Sequence, residues 1–219
     1  MKPPILKPKA TIFLTLSTDT WTSMADVVKA CKGKPVKITG TTLDLQDCQI
    51  SGSKLPQPDD ENDENSAPLR INITGFTMRN GSIRKIPGGI VFRKPSQTYR
   101  NLIFLDTGED AISNIMDDSP DSTIRDCWFF GASDKSVQMN DARGLTFTHN
   151  IVVGGVTGIR IQKKATRHKA IKPRKIEGNT FINVDTAHHL AGPVEAVIGE
   201  TTYENVNTMI KAVDGAKAR

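Results

Sequence analysis

Gly108-Glu109-Asp110 sets two carboxylates side by side on one glycine-bearing turn, just before the alternation Ala111-Ile112-Ser113-Asn114-Ile115. Adjacent carboxylates can ligate a hard cation, serve acid–base chemistry, or keep a bend hydrated. The other chemistry-bearing stretches are less specific. His188 and His189 are neighbours, so on a strand they face opposite sides and cannot ligate one metal together. The acidic stretch 56–68, PQPDDENDENSAP, lacks the glycine and terminal glutamate of a calcium loop and reads as a solvated loop. The stretch 162–175, QKKATRHKAIKPRK, packs eight basic or histidine residues, among them Lys163, Lys164, Arg167, Lys169, Lys172 and Arg174. It reads either as a solvated loop or as a contact surface for an acidic partner. No GxSxG, P-loop or HExxH pattern occurs.

What any of these residues can do depends on the elements that hold them, and a repeat defines those elements. Five segments align without gaps, starting at Thr77, Thr98, Thr123, Thr146 and Lys175, with spacings of 21, 25, 23 and 29 residues. Each opens with alternation, places Asn, Asp, His or Gly at the fourth or fifth position, and continues with a second apolar pair, a small or acidic turn and more alternation. Weaker copies begin at Asp44 and near Thr201. Short strands, polar bends and no helical period inside the unit indicate a parallel β-helix. No single coil can bury its own inward side chains, so coils must stack about 4.8 Å apart. The expectation is an all-β, single-stranded right-handed parallel β-helix of about seven coils over residues 34–210. Ile90, Ile112, Val137 and Ile159 should form one interior ladder, with asparagines at the bends bonding to those of the next coil.

A solenoid end exposes its core unless it is capped. Residues 23–33 supply a short amino-terminal capping helix: Ser23 and Asp26 have capping-box spacing, and Gly33 is placed to stop it. Met24, Val27, Val28 and Cys31 give that helix one apolar face. Residues 1–22 read as an extended basic arm suited to lie across a neighbouring subunit, and 211–219 as a carboxy-terminal tail.

Composition narrows the classes. Aromatic content of 5% excludes a large aromatic core, and no run of 18 apolar residues exists to span a membrane. The three cysteines are odd in number and lack CxxC spacing, which argues for buried thiols over a disulfide framework or zinc site. The first residues do not read as a secretory signal. A net charge of +5 permits an acidic partner without requiring one, and nucleic acid is not expected.

Taken together, the repeat and cap resemble the pectin-lyase-like superfamily of right-handed β-helices, and the amino-terminal STDTWTSMADVVKACKGKPVKITG resembles the shortened cap of phage tail β-helices. GEDA (108–111), DKSVQ (134–138) and TGIR (157–160) are similar to motifs of the small pectate lyases of polysaccharide lyase family three. That resemblance implies calcium on Glu109 and Asp110, a uronate carboxylate on Lys135, and Arg160 as the base of a β-elimination. The family adds an acidic calcium ligand from the preceding coil, where this chain has Pro87-Gly88-Gly89.

Two readings of different class follow. One is a non-enzymatic phage virion protein, a capsid decoration or small tail component, made in the host cytoplasm. It would need no cofactor, form a homo-oligomer and contact other capsid or tail proteins. The other is an extracellular, calcium-dependent lyase acting on an acidic polysaccharide.

Overall fold

The computed structural model describes residues 7–15, 20–55, 68–114, 121–141, 144–163, 173 and 175–219. The chain coils into a parallel β-helix with three stacks of strands along its length. The first stack holds Thr42–Asp44, the opening halves of Thr77–Arg84 and Thr98–Leu105, then Thr123–Arg125, Thr146–Thr148 and Lys175–Glu177. The closing halves of the two long strands belong to the second stack, with Trp128–Phe130, Ile151–Val153 and Asn179–Ile182 following. The third stack is an eight-stranded sheet that includes Ile90–Phe92, Asp110–Asn114, Lys135–Asn140, Thr157–Gln162 and Thr186–Ala191.

The fourth residue of every repeat makes the bend between the first two stacks. Asn80, Asn101, Asp126, His149 and Gly178 all have left-handed backbone, with φ between 50° and 66°. Asparagine and aspartate tolerate that region better than other side chains do, which explains the pattern of types. The bends also bond to one another, since Asn101 Nδ2 donates to Asn80 Oδ1 at 2.9 Å. Inside, Asn150 accepts from Cys127 N and donates to Ile124 O, and Asn179 serves the next rung by donating to Phe147 O. Backbone groups at that corner are therefore satisfied without water.

Inward side chains stack by type. Ile90, Ile112, Val137 and Ile159 are successive register partners and fully buried, as their alternation predicts. Phe104 lies flat on Phe129, with centroids 4.8 Å apart. His188 continues the isoleucine ladder inward while His189 points out, and burial pushes the His188 imidazole down to about 4. Cys31, Cys48 and Cys127 are free and buried, and burial pushes the Cys127 thiol up to about 12.

The ends depart from the sequence expectation. The helix Met24–Ala30 has the capping box: Ser23 N donates to Asp26 Oδ2 at 2.9 Å, and Asp26 N to Ser23 Oγ at 3.4 Å. Val27 and Cys31 are buried with Trp21, but Val28 is 53% exposed, because so short a helix presents only a narrow stripe to the core. The arm of residues 1–22 is not free of the solenoid: Thr11–Phe13 pairs in parallel with Gln49–Ser51, and Thr20–Trp21 with Leu69–Ile71. Hydrogen bonding an otherwise open sheet edge explains this recruitment. Residues 211–219 likewise carry the end of Thr208–Val213 and the strand Lys217–Ala218, which pairs with Glu195–Ala196. Beneath Thr208–Val213 no further rung follows among the described residues, and Ile210 is 41% exposed where Ile159 is fully buried.

Candidate functional site

The turn Thr107-Gly108-Glu109 links the second stack to the third. Its backbone is bonded to the rungs on both sides. Gly108 N and Glu109 N donate to Ile86 O and Pro87 O of the preceding rung, each at 3.0 Å. Glu109 O accepts from Asp134 N and Lys135 N of the following rung, at 3.0 and 3.1 Å. Gly108 does not have left-handed backbone; it is needed for close approach, because a Cβ there would lie 1.7 Å from Pro87 O.

Of the three uses open to adjacent carboxylates, keeping a bend hydrated does not describe Asp110, whose side chain is nearly buried. Strict alternation breaks at this point of the rung, since Ala111 and Ile112 are both buried in the core and a Cβ on Gly158, beside buried Ile159, would strike the buried ring of Phe181. Asp110 and Lys135 are register partners, their side chains are only 9% and 8% exposed, and Lys135 Nζ sits 3.3 Å from Asp110 Oδ1. Lys135 Nζ also contacts the Asp134 carboxylate. Burial pushes the Asp110 carboxyl up to about 6, with the neighbouring Lys135 cation opposing that rise and the Glu109 carboxylate adding to it. A buried pair of this kind contributes little net stability, but losing one member strands a charge.

That shift has a measurable consequence. The folded chain holds the Asp110 proton more tightly than the unfolded chain does. The stabilisation is therefore full below about pH 4 and is lost as pH rises through about 6. Asp110→Asn keeps the shape and removes the titration, so the variant's Tm minus that of the parent should increase between pH 4 and 6. His188 titrates in both proteins and cancels in the difference. A difference that stays constant across this range would show that Asp110 is not buried as described.

Arg160 pairs in register with Gln138 and His189 on the outward face between buried Ile159 and Ile161. The Lys135 cation acts on the same His189 imidazole as Arg160 does, so the two residues that a uronate would need are not separated by the sheet. Arg160 Nε is buried without a hydrogen-bond partner among the described residues, and Lys211 follows His189 in the same column. Burial and then the Arg160 and Lys211 cations hold the His189 imidazole below its usual range.

The preceding rung brings glycine to this corner: a Cβ on Gly89 would lie 1.7 Å from Asp110 O. Among the described residues no group of three or more His, Cys, Asp or Glu side chains converges on a point where a metal could sit. Of the basic stretch, Lys163 is described, and its N donates to Ala191 O at 2.9 Å. Lys164, Arg167, Lys169, Lys172 and Arg174 lie outside the described residues, as does the acidic stretch from 56 to 67.

A feature hidden in the sequence is the outer face of the second stack. Trp128 stands beside Phe129, which is fully buried in the core, and Phe130, which is 6% exposed and lies outside the core cluster. Trp128 is half-buried on the outside, its ring 5.8 Å from that of Phe130. In register with these two lie Ile103 and Leu105 on one side and Ile151 and Val153 on the other. Three consecutive rungs therefore present apolar side chains outward, and the alternation that would reveal this is masked by an unbroken apolar run in the sequence.

Comparison with known proteins agrees with the architecture. A family model described as a right-handed beta helix region matches residues 29–181. No curated protein matches the chain.

Proposed function

Since this chain belongs to the pectin-lyase-like superfamily of right-handed β-helices, we propose that it serves as a non-enzymatic structural protein of a phage virion, either a capsid decoration protein or a small tail component. The observation that carries this reading is the apolar outer face of the half-buried Ile103, Leu105, Trp128, Ile151 and Val153 around the nearly buried Phe130. A contiguous outward apolar patch with a central tryptophan suits a protein–protein interface. On this reading the partners are copies of itself and other capsid or tail proteins. The chain is made in the host cytoplasm and ends in the virion, and it needs no cofactor. The basic residues from Lys163 to Arg174 are its proposed contact with an acidic capsid surface.

The alternative, an extracellular calcium-dependent polyuronate lyase, has two observations behind it. Asp110 and Lys135 are in register, and Arg160 stands in a column with His189 and Lys211, the electropositive setting that an arginine base requires. Against it stands the burial of the Asp110–Lys135 pair, in which the two residues already occupy each other.

Two measurements separate the readings. Purified virions should contain the wild-type chain and be depleted of Trp128→Glu, while the Tm of the isolated variant stays within a few degrees, as for a half-buried position outside the core. Equal incorporation would remove the proposed interface. Polygalacturonate with calcium at alkaline pH should give no unsaturated product. Turnover lost in both Glu109→Ala and Arg160→Ala would establish the lyase instead.

A further inference from the structure

We propose that the outer face of the first stack is a docking site for an extended acidic polypeptide segment of a partner protein. Three copies of Thr-x-Arg, beginning at Thr77, Thr98 and Thr123, are in register, so Arg79, Arg100 and Arg125 form one column. Successive rungs lie about 4.8 Å apart. Like charges directly opposite on neighbouring strands repel, and the fold does not need them there, since the adjacent Met78, Tyr99 and Ile124 supply the core. Thr148 occupies the same column one rung further on, without a charge. An anion laid along the column would relieve the repulsion.

The face is shaped to receive one. A groove of about 400 Å³ is lined by Lys37, Asp44 and the three arginines, with the threonines of the repeat along its side. The chain itself shows what fits. Asp44, one rung before Arg79 in the column, places Oδ2 2.9 Å from Arg79 Nε. A carboxylate on an extended strand is therefore already accepted at the head of the column. Arg125 is turned to its exposed neighbour Asp126 at 2.7 Å, a surface pair that exchanges at little cost. The Arg100 side chain has no ion pair or hydrogen bond among the described residues.

Guanidinium groups favour carboxylates in two-point geometry, and their long stems absorb the mismatch between rung spacing and the spacing of side chains along a bound strand. The lining includes no aromatic ring, which disfavours single-stranded nucleic acid, where bases stack on such rings. This inference does not rest on the virion reading or on the apolar face of the second stack.

The test uses the full chain and a fluorescein-labelled oligoglutamate peptide, followed by anisotropy at low and high salt. Binding should weaken with salt, and Arg100→Gln should lower affinity about tenfold, the loss of one charge-assisted contact. Arg84→Gln removes the same charge from the second stack, where Arg84 pairs with Asp106, and should leave affinity unchanged. Arg100→Lys should recover part of the loss. Three outcomes overturn the proposal: no binding of the peptide, equal loss in both glutamine variants, or tighter binding of an oligogalacturonate or a single-stranded oligonucleotide of matched charge.

Discussion

Val137→Asp is expected to leave the chain largely unfolded at 25 °C. Val137 sits in the middle of the isoleucine ladder, fully buried between Ile112 and Ile159. A carboxylate there would meet side chains that offer no hydrogen bond, and an unpaired buried charge costs more than about 4 kcal/mol. Domains commonly retain only about 5–15 kcal/mol in total, so the loss takes most of the margin. Because each rung contacts its neighbours alone, damage in a central rung also uncouples the two halves of the rod. Val137→Ala, which leaves only a small cavity, should cost about 1–3 kcal/mol and keep the far-ultraviolet spectrum of the parent. Wild-type melting of Val137→Asp would mean that the ladder is not the core.

Gly108→Ala should cost about 2–4 kcal/mol, an unusual amount for one added methyl on a surface-facing turn. The methyl would meet Pro87 O at 1.7 Å, and that atom is backbone, so no side chain can swing aside. Relief requires the turn to lift from the rung above, which breaks the bonds from Gly108 N to Ile86 O and Glu109 N to Pro87 O. Urea denaturation checks the figure. A midpoint equal to that of the parent would show that the turn lies further from Pro87 than described.

The repeat was legible because two physical requirements recur in every coil. One is an inward apolar residue at each stack. The other is a residue that accepts left-handed backbone at the fourth place, filled by Asn80, Asn101, Asp126, His149 and Gly178. The capping box at Ser23 and Asp26 was legible for the same reason, as its spacing encodes two hydrogen bonds directly. Other features needed register, which a sequence does not display. Asp110 reads as part of a wet turn, and only the pairing of rungs sets it against Lys135 with both side chains nearly buried. The Thr-x-Arg triplets are visible in the sequence, yet only pairing places Arg79, Arg100 and Arg125 in one column. In the arm, prolines and lysines obscure Thr11-Ile12-Phe13, whose strand partner lies beyond the helix in the sequence.

The two ends of the rod are unlike, and this bears on how such a chain can change length. At the amino-terminal end, the helix and Trp21 close the core, so a coil inserted there would have to displace the cap. At the other end, Ile210 already offers the next rung a place in the ladder, and Thr208–Val213 offers it a strand edge. A tandem duplication that copied one repeat onto this edge would find its neighbour's contacts in place, because rungs depend only on the rungs beside them. Insertion of coils is therefore directional in this fold: the capped end resists it by its own packing, and the edge of Thr208–Val213 is where a new coil, with a new outer face, would find its contacts in place.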